Sequence, residues 1–108
     1  MNGLARLADK SQSFVGVWLD KQQVRLGEGE SDEITITNGL PGNVHLILEI
    51  DEFAGLTGKL EKTELGSNSR MKVRFEFKGQ SNESNPPLQA RIIVQETHQA
   101  LPVNIRFR

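Results

Sequence analysis

The sequence predicts an all-β chain, an immunoglobulin-like β-sandwich of about seven antiparallel strands. Three observations carry that expectation. From Arg70 to Lys78 the chain alternates without a break, Met71, Val73, Phe75 and Phe77 against Lys72, Arg74, Glu76 and Lys78. On a strand this makes one dry face and one charged face. Similar rows recur in Val44–Ile50, Leu88–Val94 and Leu101–Phe107, and dense turn signals (N-G-L-P-G-N, G-S-N, G-Q-S-N-E-S-N-P-P) stand between them. Rows with a single apolar face must be covered, and two antiparallel sheets packed face to face bury all of them. A small closed β-barrel is the alternative arrangement.

Residues 1–12 are polar apart from Leu4, Ala5, Leu7 and Ala8 and read as a flexible lead-in or linker, with residues 13–108 forming the sandwich domain. Phe14–Leu19 is apolar on both faces, and its Gly16 marks a bulge or a close backbone approach. Asp20-Lys21 kinks the chain before a short segment, Gln23–Leu26. The split predicts a first strand that pairs with one sheet and then crosses to the other. Gly27–Asp32 reads as a turn, and Glu33–Asn38 as a strand with Ile34 and Ile36 inward. After the turn ending at Asn43, Val44, Leu46, Leu48 and Ile50 face one way and His45, Ile47 and Glu49 the other. Asp51–Gly58 is a loop whose Phe53 and Leu56 cap one end of the core, and Lys59–Leu65 is a weak edge strand. Beyond Gly79–Pro87 the strand can begin only after Pro86 and Pro87, which donate no ladder hydrogen bond. Leu88, Ala90, Ile92 and Val94 then point inward, with Gln89, Arg91, Ile93 and Gln95 outward. The last inward row is Leu101, Val103, Ile105 and Phe107.

A chain of 108 residues is one domain, long enough to bury roughly two-thirds of its unfolded surface. Thirteen basic against fourteen acidic residues give a net charge of -1, which leaves no electrostatic footprint for a nucleic-acid partner. No apolar run approaches the roughly 20 residues that span a bilayer, which argues against membrane insertion. Met1–Ser13 lacks the apolar stretch of a secretory signal. The expected compartment is therefore cytoplasmic if residue 1 is the natural start, and extracellular or cell-surface if the chain is cut from a larger protein. The absence of cysteine removes disulfides, thiolate metal sites and cysteine nucleophiles together. The absence of tyrosine removes the tyrosine corner of many Greek-key sandwiches.

From Gln23 to Asn38 the sequence Q-V-R-L-G-E-G-E-S-D-E-I-T-I-T-N resembles the strand, glycine turn and T-x-T-N opening of bacterial immunoglobulin-like repeats. L-G-S-N-S-R-M-K-V-R-F-E-F, from Leu65 to Phe77, is similar to their L-x-x-G-x-S-x-x-V-x-V step, and R-I-I-V…L-P-V-N-I-R-F to their last two strands. BACON-type and related bacterial sandwich modules are the nearest family. The resemblance spans residues 23–107 and implies a non-catalytic module attached to a carbohydrate-active or cell-surface protein. Glycan-binding members would want exposed aromatics, and this chain has a single tryptophan.

No motif for catalysis is present. The histidines are His45, outward on a strand, and His98, in a turn, and no G-x-S-x-G occurs. No spacing supports a His45–His98 metal pair, and no cofactor is expected. Glu28, Glu30, Asp32 and Glu33 offer several carboxylates from one turn, the kind of donor set a calcium ion takes, but without the D-x-D-x-D-G order of a dedicated loop. Trp18 is the candidate for stacking on a sugar ring. Its neighbours Phe14, Val15, Val17 and Leu19 favour a place in the core or at its rim. If the strands starting at Val44, Leu88 and Leu101 share a sheet, their outward faces bring Ile47 and Ile93 together, flanked by His45, Arg91, Asn104 and Arg106. A small apolar patch rimmed by arginine is a protein-binding surface by its chemistry. The function expected from the sequence is thus a non-catalytic protein-interaction or spacer module of a larger bacterial surface or secreted protein, with another protein or a neighbouring domain as partner. The alternatives are a carbohydrate-binding module with a glycan partner, and a stand-alone cytosolic regulatory subunit.

Overall fold

The computed structural model describes residues 16–80 and 85–108. The expected 1–12 lead-in, and Phe14 and Val15 of the first apolar segment, lie outside them. Among the described residues are nine strands: β1 (Val17–Leu19), β2 (Gln23–Leu26), β3 (Glu30–Asn38), β4 (Val44–Ile50), β5 (Leu56–Leu60), β6 (Glu64–Leu65), β7 (Arg70–Phe77), β8 (Leu88–Val94) and β9 (Gln99–Phe107). They form a four-stranded sheet in the order β1-β3-β7-β5 and a five-stranded sheet in the order β2-β9-β8-β4-β6. The architecture is an immunoglobulin-like sandwich.

The alternating rows become the two inner faces. Ile34 and Ile36 from β3, Met71, Val73, Phe75 and Phe77 from β7, and Leu56 from β5 pack against Val24, Leu26, Val44, Leu46, Ala90, Ile92, Val94, Val103 and Ile105 of the other sheet. Phe53 closes one end of this core, as its place in the loop predicts. Its ring centroid lies 6.1 Å from that of Phe77 and 5.2 Å from that of Phe107, which are themselves 4.6 Å apart in tilted arrangement.

The crossing of the first strand between sheets has a specific cause. Asp20 ends β1 by occupying the β3 ladder with its own groups: its amide donates to the Thr35 carbonyl (3.0 Å) and its side-chain Oδ1 accepts the Thr35 N–H (2.8 Å). The chain then leaves that sheet, and β2 joins β9 of the other.

Three features depart from the sequence expectation. The β2–β9 pair is parallel, so the sandwich is not wholly antiparallel. Lys59–Leu65 is not one edge strand but two short ones in opposite sheets, β5 beside β7 and β6 beside β4. That division, with the separate β1 and β2, makes nine strands rather than seven. Glu30–Asp32 belongs to β3, because the turn needs only Gly27–Gly29: Gly29 takes φ +74°, its amide donates to Phe77 (2.9 Å), and the ladder to β7 resumes at once. Asn38 ends β3, as the sequence predicts, and is fully buried there.

Candidate functional site

On the outer side of the five-stranded sheet, strand pairing sets side chains in rows. Ile47 of β4 lies directly opposite Ile93 of β8, and Ile93 opposite Ala100 of β9. Ile47 is 43% exposed and is the one exposed large hydrophobic residue among those described. Ile93 beside it is half-buried. The apolar row foreseen in the sequence is therefore present, with β4, β8 and β9 sharing one sheet.

One row further along lie Glu49, Arg91 and Pro102, and Arg91 Nε sits 3.3 Å from Glu49 Oε1. On the other flank is a cluster around His45. Its Nδ1 is 2.5 Å from Glu96 Oε2, its backbone N–H donates to Glu96 Oε1 (2.7 Å), and its Nε2 is 3.9 Å from Glu64 Oε2. The short strand β6 sets Glu64 opposite His45.

The hydrogen bond that the His45 ring donates to Glu96 holds its pKa above the ordinary 6.5; burial opposes this, and the negative charges of Glu96 and Glu64 reinforce it. The same hydrogen bond, with that from the His45 backbone, holds Glu96 below its ordinary 4.5. A raised histidine stabilises the fold fully below about 6.5 and loses that contribution as pH rises through its folded-state value; a lowered carboxylate contributes above about 4.5 and loses its part on acidification. The clamp is complete between those limits. We expect the His45 ring resonances to titrate above pH 6.5 and the Glu96→Gln variant to bring the midpoint down towards that value. Equal midpoints would show that the clamp does not form in solution.

The structure does not bring every expected residue to the row. Arg106 shares the outer face but stands six positions beyond Ala100 on β9, about 20 Å along the strand. There it lies beside Arg25 of β2. Asn104 pairs with Gln89, whose Nε2 donates to its Oδ1 (3.2 Å), and it too lies away from the isoleucines. Of the expected rim, His45 and Arg91 remain. Glu49, Glu96 and Glu64 complete it; alternation along β4 could have supplied Glu49, whereas nothing local marks Glu96 or Glu64.

The acidic turn is dispersed. Glu30 Oε1 accepts the Gly27 N–H (2.6 Å) and lies 3.6 Å from Arg108 Nε, while Asp32 is bound by Lys21 at 3.0 Å and 3.2 Å. Burial pushes the Asp32 carboxyl up, and the Lys21 hydrogen bond with the Glu33 backbone N–H more than reverses it, so the group sits below its usual range. Glu33, the next residue on β3, points to the opposite side of the strand. Among the described residues no group of three acidic or histidine side chains is placed to hold a metal ion. Trp18 is also displaced from the core: Val17 takes the inward position, and Trp18, half-buried, lies opposite Thr37 on the outer side of the four-stranded sheet.

No protein-family model and no curated protein matches the chain. Solved structures do. WR4, a C. elegans MSP family member, superposes with TM-score 0.62 at 7% identity, over 87% of this chain and 99% of that one. The Pseudomonas aeruginosa CupB2 chaperone gives 0.61 at 11% identity, over 82% of this chain, and the YadV chaperone 0.57 at 8%, over 87%. The chain spans about half the length of those chaperones, 54% and 52%. At such identities the likeness establishes the shared immunoglobulin-like fold and nothing finer. Membership of the BACON-type modules specifically is not shown.

Proposed function

We propose that this domain is a non-catalytic protein-interaction module, a unit of a larger bacterial surface or secreted protein, and that it engages another protein or a neighbouring domain through the outer side of its five-stranded sheet. The observation that carries the reading is the row Ile47–Ile93–Ala100, an apolar strip on a wet face, bordered on both flanks by charged side chains. An apolar centre within a polar rim is the ordinary anatomy of a protein-binding patch. The site holds no nucleophile: the His45 ring contacts two carboxylates, an arrangement suited to charge pairing. Two of the structural neighbours are chaperones, which agrees with a role in contacting protein.

The test places a photo-crosslinking residue at position 47, with a control at Thr57 on the outer side of the four-stranded sheet, in the cell of origin. A discrete protein adduct from position 47 and none from Thr57 is the expected result. Equal labelling from both faces, or none, overturns the reading. In the same system Ile47→Asp should remove the partner while leaving the unfolding free energy within about 0.5 kcal/mol of the parent, as expected for an exposed position.

A second reading keeps one observation in its favour. Because Trp18 lies on an outer face rather than in the core, its half-buried indole is within reach of a glycan. A saturating oligosaccharide that shifts Trp18 emission would move the assignment to carbohydrate binding.

A further inference from the structure

The arginines of this chain are used unevenly. Arg74, Arg91 and Arg108 each sit on a carboxylate, Glu76 at 2.9 Å, Glu49 at 3.3 Å and Glu30 at 3.6 Å. Arg25 and Arg106 do not. The parallel register of β2 and β9 sets these two directly opposite one another. Both lie on the outer side of the five-stranded sheet, because Val24, Leu26 and Ile105 hold the buried positions beside them in the chain. Both are exposed, and among the described residues neither guanidinium has an ion-pair partner. Like charges set opposite one another on strands about 4.8 Å apart destabilise a sheet. The free domain therefore carries a repulsion that none of its own carboxylates relieves.

The surroundings of the pair explain why. The next row on the same face is uncharged, Gln23 beside Asn104 beside Gln89. Asp32, which accepts from the Arg25 backbone N–H, is held by Lys21, and Asp51 across the sheet accepts the Gln89 N–H at 3.1 Å. The carboxylates of this face gather instead towards the opposite corner, where Glu49, Glu64 and Glu96 outnumber His45 and Arg91. The face is polarised along its diagonal, with the apolar row Ile47–Ile93–Ala100 inside the acidic half.

We infer that Arg25 and Arg106 form a carboxylate-binding corner, and that the protein partner proposed above lies across the face with an acidic segment on this pair and its apolar contact on Ile47 and Ile93. This rests on the interaction reading and adds the partner's chemistry and its direction across the sheet. Each guanidinium offers a planar fork that takes a carboxylate through two parallel N–H···O bonds. The pair then meets its counter-charge only in the complex. A lone phosphate is a poorer fit, because ladder N–H groups lie in the plane of the sheet and none points out of the face to cradle it. A long polyanion fits worse still. Continuing along the face it meets Glu49, Glu64 and Glu96, and a chain of net charge -1 does not draw it in.

Amide and arginine side-chain NMR of the whole chain tests the corner at about 20 mM ionic strength, where exposed charges are least screened. The probe is a short capped peptide of alternating glutamate and glycine, added to about 10 mM. The Nε–Hε signals of Arg25 and Arg106 should shift together, with the backbone amides of residues 23–25 and 104–106, and should return to their free positions at about 0.5 M salt. Arg70 is the control, exposed on the outer side of the other sheet opposite Thr37. Equal shifts there overturn the site. Larger shifts with inorganic phosphate, or with duplex DNA at matched charge, overturn the carboxylate assignment. The double variant Arg25→Gln with Arg106→Gln should lose the response and unfold at no lower urea concentration than the parent, because a repulsion is removed. A response that persists, or a lower urea midpoint showing that the fold needs the pair, overturns the site. In the cross-linking experiment the same double variant should reduce the adduct from position 47 by about tenfold. An adduct that forms undiminished overturns the corner and leaves the interaction module standing, whereas no adduct from the parent overturns the module itself.

Discussion

Replacement of Asn38 by alanine should destabilise the domain by about 3 kcal/mol, measured as the shift in urea unfolding with an unchanged denaturant slope. Asn38 is fully buried at the end of β3. Its amide Nδ2 donates towards the carbonyls of Gly42 (2.9 Å), Leu65 (3.1 Å) and Gly66 (3.1 Å), and its Oδ1 accepts the Leu40 N–H (3.0 Å). One side chain thus ties the β3–β4 turn to the end of β6, which pairs with β4 in the opposite sheet. Removing it takes a hydrogen bond from each of these main-chain groups in a place water reaches poorly, and a group left unpaired there costs about 1–3 kcal/mol. Asn38→Asp should fare no better, because a carboxylate accepts where these carbonyls need a donor. A change under about 1 kcal/mol for either variant would mean that the turn re-forms its bonds with water, in which case Asn38 is not the tie between sheets.

Gly55→Ala should cost about 3 kcal/mol or more, for a different reason. Gly55 has φ +85°, and a Cβ there would press on the Gly79 nitrogen and stand 2.7 Å from the Gly79 Cα. Both obstacles are main chain, so no rotamer change relieves them. Two chain segments cross here, and the Gly55 carbonyl accepts the Lys78 N–H at 2.8 Å. The crossing places Phe53 over Phe77 and Phe107, so forcing it apart opens the end of the core. Gly29 supplies the control. Its φ is +74°, but nothing lies within 4 Å of an added Cβ, and Gly29→Ala should cost only the conformational strain of about 1 kcal/mol. Thermal or urea unfolding of the two variants side by side separates steric crossing from backbone strain. Equal losses would refute the crossing argument.

Much of the candidate site can be read in the sequence, because a strand's two-residue period assigns every side chain to a face without knowledge of its neighbours. Ile47 and Ile93 break the pattern of their strands by being apolar on the polar side, and this local fact survives any choice of register. Their direct opposition needs only that β4 and β8 pair. The rim is different. Glu96 lies past the end of β8, and its approach to His45 depends on how the β8–β9 turn folds back, with Thr97 and a left-handed His98 (φ +57°) completing the bend. Glu64 reaches His45 only because the chain after Leu60 changes sheet. Arg106 illustrates the converse: the correct face and strand still leave it about 20 Å from the isoleucines, since alternation carries no information about position along the strand.

What the sequence determined by itself is everything that depends on local periodicity and composition: an all-β chain, the inward rows, the aromatic cap at Phe53, the change of sheet after Leu19, and an apolar residue on each of two wet strand faces. These follow from the geometry of one strand, in which neighbouring side chains must point apart. Tertiary structure decided what depends on which strand lies beside which. It made β2 the parallel neighbour of β9, divided Lys59–Leu65 between two sheets, drew Asn38 inside, turned Trp18 outward, and assembled His45, Glu96 and Glu64 from three separate segments. Pairing of that kind is set by the closure of the whole core and by turns whose side chains bond across long separations, and no window of neighbouring residues contains it.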